Sequence, residues 1–161
     1  MPGRDVTDNA RLFALAAMTM DDGLIAVFDA KYSYNLWRPV TAIRNGDLDG
    51  NNATERDAGW TPFIDTPMQP EYPCAHCIVS SSLGAVLAAE IGSGPTPTLT
   101  SASPTAGGAV RTWKSVDDFT KEVAHARIYD GVHYRNSTEV GSAMGKKIGE
   151  FVVKSVPKAT R

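Results

Sequence analysis

The 161-residue chain predicts an all-α fold, a bundle of four to five helices with long loops. Apolar residues recur at three- and four-residue intervals over several long segments, and no segment alternates convincingly with the period of two that marks a strand. Apolar residues make up 42% and charged residues 21%, a balance suited to one core. A single helical domain over 1–161 is expected.

Residues 7–35 read as the first helix. Thr7 or Asp8 can cap it, and Leu12, Leu15, Ala16, Met20, Leu24 and Phe28 repeat along it. Gly23 weakens it slightly, and Pro39 ends or kinks it. From Asn45 to about Pro73 the chain is rich in Gly, Asn, Asp and Pro, so it reads as loop. A second helix opens near Cys74 and runs to Ile91, with Gly92 as its stop. Ile78, Val79, Leu83, Val86 and Leu87 spread over much of its surface, which predicts a central position. Residues 92–114, rich in Gly, Ser, Thr and Pro, read as a long surface loop. The next helix starts at Ser115, which with Asp118 approximates a capping box, and runs to about Asp130, where Gly131 breaks it. A final helix starts at Asn136 or Ser137, has Glu139 in its first turn, and continues through Met144, Ile148 and Val152. Pro157 precedes a polar tail.

Sixteen Lys and Arg against eighteen Asp and Glu leave a net charge of -2 with no basic cluster, so nucleic acid is not an expected partner. No apolar run approaches the roughly 18 residues of a membrane span. The opening residues are polar and lack the apolar core of a signal peptide, so a soluble protein of unassigned compartment is expected. Two cysteines, Cys74 and Cys77, are too few for a disulfide scaffold, and a reduced state is the default.

Three groups of residues carry chemistry. Lys31 and Arg38 stand seven apart, about two helical turns. Pro73 leads into a helix whose first turn holds Cys74, Ala75 and His76, and such a start offers unpaired N–H groups and the positive end of the dipole. Arg127 and His133 flank the Gly131 break and can aim at one point. Together these donors suit a tetrahedral oxyanion, because a guanidinium can bond two oxygens at once.

Other patterns compete. Cys74-Ala-His-Cys77 also fits the Cys-x-x-Cys of disulfide oxidoreductases, but those need a βαβ setting. A zinc site from Cys74, Cys77, His76 and either His133 or His125 lacks a second paired motif. Asp47-Leu-Asp49-Gly50-Asn51 opens like a calcium loop but lacks the later Gly and Glu, so it reads as a turn.

The strings Lys31-Tyr-Ser-Tyr-Asn-Leu-Trp-Arg38-Pro39, Pro73-Cys-Ala-His76 and Ala126-Arg127-Ile-Tyr-Asp-Gly131-Val-His133 resemble the three-part signature shared by vanadium-dependent haloperoxidases and type 2 phosphatidic acid phosphatases. The flanking residues, including Pro70-Glu-Tyr-Pro73 and Asp130-Gly-Val-His-Tyr134, look closer to the haloperoxidase branch. The resemblance implies that Lys31, Arg38 and Arg127 neutralise the oxygens of vanadate, or of phosphate in the same place. Ala75 would offer its backbone N–H, and His133 would bond the metal or, in a phosphatase, attack phosphorus. His76 would be the acid–base group.

Three positions depart from the family pattern. Cys74 replaces a serine that hydrogen-bonds the oxyanion, Ala75 replaces a glycine, and Ser137 stands where an aspartate orients the metal-binding histidine. His133 is therefore expected to lack a carboxylate partner, with Glu139 a helix-capping residue instead. The reading is a vanadate-dependent oxidoreductase that uses hydrogen peroxide to oxidise halide. A phosphatase acting on a phosphate ester through a phosphohistidine, or a degenerate oxyanion-binding relative, is the alternative. Members of the haloperoxidase branch carry a further helical bundle ahead of the motifs, so a homodimer covering the exposed apolar faces is expected.

Overall fold

The computed structural model describes residues 4–156. Pro157 and the tail after it lie outside these residues. Asp5 accepts a hydrogen bond from the Asp8 N–H and starts α1 (Val6–Tyr34), two or three residues before the capping positions read from the sequence. Asn35, at φ 47° in the left-handed region, ends it.

The buried side of α1 is Leu15, Thr19, Gly23, Val27 and Lys31, a strict four-residue repeat. Leu24 and Phe28, read as part of the inward stripe, are exposed. The small residues Thr19 and Gly23 explain the difference, since they let a neighbouring helix approach where larger side chains would hold it off. A Cβ on Gly23 would come within 3.2 Å of the Ile78 side chain. The same ridge carries Lys31 inward at its end.

Pro39 opens a new short helix, α2 (Pro39–Arg44), with Arg38 as its N-cap. Its lost N–H costs nothing at a first helical position. The segment 45–73 is irregular and is pinned near its middle. Arg44 Nε donates to the Trp60 carbonyl at 2.8 Å, and the Phe63 N–H donates to the Asp130 carbonyl at 2.9 Å. α3 (Ala75–Ile91) is central, packed against α1 and against α4 (Val116–Tyr129) and α5 (Arg135–Ser155). Gly92 follows its last residue, where the sequence placed the stop.

Between α3 and α4 the chain is not all loop. Leu99–Ala102 (β1) and Val110–Trp113 (β2) form an antiparallel hairpin around a short 3-10 turn. The strands are mostly exposed, so the alternation that betrays a half-buried strand is missing. Ser115 caps α4 by accepting from the Asp118 N–H. α5 starts at Arg135, one or two residues before the positions read from the sequence, so Glu139 falls beyond the first turn, exposed and without capping the helix.

α5 meets α3 along Gly141, Gly145 and Gly149. Cβ atoms there would collide with the backbone carbonyls of Cys74, Ile78 and Ser82 respectively. Gly145→Ala is therefore expected to lower stability by about 2–3 kcal/mol through forced separation of the two helices. A denaturant midpoint equal to that of the parent chain would contradict this close packing.

Candidate functional site

Lys31, Arg38, Arg127 and His133 are all buried. Lys31 reaches from the last turn of α1 and donates to the carbonyls of Pro70 and Glu71, each at 2.8 Å. Arg38 Nε donates to the Gln69 carbonyl at 2.9 Å. Two cations thus strap the segment 69–71, and the Glu71 N–H completes the strap by donating to the Leu36 carbonyl. Arg38 Nη1 donates to the Val132 carbonyl at 2.8 Å and meets His133 Nε2 at 3.1 Å.

Arg127, in the last turn of α4, is held by Asp130 at 2.9 Å. Gly131, at φ 74°, then turns the chain toward His133, packed so closely on Trp60 that a Cβ would lie 3.0 Å from the ring. Cys74 caps α3, and its N–H donates to the Ser137 carbonyl at 3.2 Å, so the start of α3 is tied to the start of α5. Ala75 follows as the first helical residue. Its φ is not positive, so the methyl in place of a glycine is accommodated. His76 is exposed at the rim.

The cations are close enough to affect one another. Burial is the main cause that brings the Lys31 ammonium down to about 8, and the nearby Arg38 charge adds to it. Arg38 is pushed down first by burial and then by Arg127, while Glu71 offsets both effects. His76 falls below its ordinary value, chiefly through lost hydration and then through the Arg127 charge, which favours the neutral ring. The structure therefore gathers Lys31, Arg38, Arg127 and His133 around the first turn of α3, with His76 at its edge. Two donor atoms in this cluster, Arg38 Nη2 and Arg127 Nε, are buried with no hydrogen-bond partner.

Sequence reasoning missed Glu71. It is fully buried, and its Oε1 lies 2.7 Å from His133 Nδ1 while accepting from the Tyr134 N–H at 3.0 Å. The carboxylate expected to be missing from His133 comes from a different loop. Ser137 still touches the same ring nitrogen, at 3.3 Å. An ionised carboxylate can only accept, so Nδ1 carries the proton and the Nε2 lone pair faces Arg38. The only sequence signal was an acid beside Pro70 in an otherwise turn-like segment.

Cys74 Sγ accepts from the Cys77 backbone N–H at 3.3 Å and from the Cys77 thiol at 2.6 Å. The hydrogen bond from Cys77 holds the Cys74 thiol well below its ordinary pKa and raises that of Cys77. Among the described residues, no group of three or more His, Cys, Asp and Glu side chains could hold a metal ion.

Comparison with known proteins decides the family. The chain matches the family model of the VCPO second helical-bundle domain over residues 11–161. It belongs to the vanadium haloperoxidase family. The crystal structure of the first bacterial vanadium-dependent iodoperoxidase is similar at 32% identity, with a TM-score of 0.79 over 91% of this chain and 33% of that one. An apo-type bacterial vanadium-dependent chloroperoxidase shares the fold at TM-score 0.77 and 19% identity, covering 94% of this chain and 37% of its own. A holo-type bacterial vanadium-dependent chloroperoxidase does so at 0.69 and 21%, covering 87% and 34%. The chain spans about a third of the length of these haloperoxidases. No curated protein matches it.

Removing the Glu71 carboxylate strips Lys31 and Arg38 of the negative charge that offsets their burial. Glu71→Ala is expected to cost about 3–5 kcal/mol, as when one member of a buried ion pair is deleted. Equilibrium unfolding measures it, and a loss within the range of an ordinary surface substitution would show that Glu71 does not neutralise the cluster.

Proposed function

We propose that this chain carries the oxyanion site of a vanadate-dependent haloperoxidase-like oxidoreductase, which uses hydrogen peroxide to oxidise halide. The observation that carries the reading is the pair of orphaned buried donors, Arg38 Nη2 and Arg127 Nε, beside Lys31 and His133. Burying an N–H without a partner costs roughly 1–3 kcal/mol, a cost that an anion accepting from both would remove. The donor set fits vanadate, and phosphate by the same geometry. Lys31, Arg38 and Arg127 would hold its oxygens, together with the Ala75 N–H. His133 would hold the metal through Nε2, the nitrogen that Glu71 leaves unprotonated.

Bound vanadate would supply a Lewis-acidic centre at which peroxide becomes electrophilic toward halide. The chain's own contribution is electrostatic: three cations fixed in advance around a developing negative charge. His76, kept neutral by its surroundings, can take and return a proton at the mouth. Cys74 would border the anion as an acceptor of hydrogen bonds, unlike the serine donor of the family pattern. A phosphatase working through His133 is the second reading, favoured by the Glu71–His133 pair, which would equally prepare Nε2 as a nucleophile. A degenerate relative would bind the anion without turnover.

Vanadate- and peroxide-dependent bromination of a phenol dye is the expected result. Hydrolysis of a chromogenic phosphate ester, inhibited by vanadate, would replace this reading with the phosphatase. Anion binding with neither activity would leave the degenerate relative. Arg127→Ala is expected to weaken phosphate or vanadate binding by about 1.5–3 kcal/mol, the contribution of a hydrogen bond to a charged group. An unchanged dissociation constant in calorimetry would remove Arg127 from the pocket.

Met18, Ile25, Phe28 and Tyr32 are exposed along one side of α1, with Leu24 beside them. This apolar side favours a homodimer that buries it. Sedimentation of the parent chain at a monomeric mass would exclude that assembly.

A further inference from the structure

We propose that Cys74 and Cys77 form a redox-active pair that hydrogen peroxide, entering through the anion pocket, converts to an intrachain disulfide. The helical setting rules out the βαβ framework of the disulfide oxidoreductases, but the chemistry of the pair remains unused by the proposed reaction. Its sulfurs are 2.6 Å apart across one helical turn, so bonding requires an approach of only about half an ångström to the 2.03–2.05 Å of a disulfide. The chain has no other cysteine, so any intrachain product joins these two.

Both cysteines are fully buried. α5 covers both on one side, where Gly141 lies against the Cβ atoms of Cys77 and Cys74. Cys74 alone of the two also meets the His133 ring, and so stands at the wall of the cluster formed by His133, Arg38 and Arg127. An oxidant small enough to enter that cluster reaches Cys74 first. The Cys74 sulfur displaces water from the peroxide O–O bond and becomes a sulfenic acid. The Cys77 sulfur then displaces the hydroxyl as a second water and forms the S–S bond. Two thiols lose two electrons and two protons, and one peroxide becomes two waters. Only the route of entry rests on the anion site proposed above; the disulfide itself does not.

The test treats the reduced full chain with hydrogen peroxide, without vanadate or halide, and follows intact mass after acid quenching. The expected product is a monomeric chain lighter by two hydrogens and restored by dithiothreitol. Cys77→Ser is expected to lose this product and to gain oxygen on Cys74 instead, since no resolving thiol remains. A parent chain unchanged in mass, oxidised only by added oxygen, or joined to a second copy through sulfur would overturn the pair.

Inorganic phosphate tests the route. At ten times its dissociation constant about one site in eleven is open, so disulfide formation should slow about tenfold. Phosphate that binds by calorimetry yet leaves the rate unchanged would overturn entry through the pocket. If phosphate does not bind, the anion site itself fails, and entry through it fails too. The mass measurement then decides the disulfide independently.

Discussion

Burying three cations within one helical bundle is the constraint on which the rest of this structure depends. Lys31, Arg38 and Arg127 are all removed from water, and an isolated buried charge is too costly to persist without partners. The structure meets that cost mainly with backbone. The carbonyls of Gln69, Pro70, Glu71 and Val132 accept from Lys31 and Arg38, while two carboxylates, Glu71 and Asp130, supply negative charge. An irregular loop is well suited to this work, because its carbonyls are not already engaged in a helix. The long segment between α2 and α3 therefore acts as solvent for the cations, and its path is set by them.

The elements with local rules were legible in the sequence. Ser115 with Asp118 and the glycine at 92 marked helix boundaries by capping chemistry, which needs only neighbours in the chain. The central place of α3 followed from apolar residues around its whole circumference. Features settled by tertiary contact were not legible in the same way. Leu24 and Phe28 fit an inward stripe as well as Thr19 and Gly23 do by spacing alone, and helix approach chose the smaller residues. The β1–β2 hairpin is held by backbone pairing with few buried side chains, so its sequence resembled loop. The motif-bearing residues could be named from their order along the chain, whereas Glu71 could not. Its role exists only because the loop folds back on His133.

That displacement of the carboxylate carries a physical lesson about His133. An orienting acid at position 137 would act from the first turn of α5, on the same element as the loop that bears the histidine. Glu71 reaches the same ring nitrogen from a different segment, the one whose carbonyls already hold Lys31 and Arg38. The ring tautomer, the position of two cations and the entry into α3 are thereby joined through one residue. Ser137, still beside Nδ1, is freed from carrying charge and lends its carbonyl to the Cys74 N–H.

The glycine seam of α5 extends this coupling into the bundle. Gly141 lets the backbone of α5 lie against the carbonyl and Cβ of Cys74, and Gly145 and Gly149 continue the contact one and two turns further along α3. Packing between two helices therefore sets how far the first turn of α3 stands from the loop holding His133. A bulkier seam would open that distance even with every polar residue of the cluster intact. The geometry of the cation cluster is thus fixed as much by the absence of side chains on α5 as by the charged groups themselves.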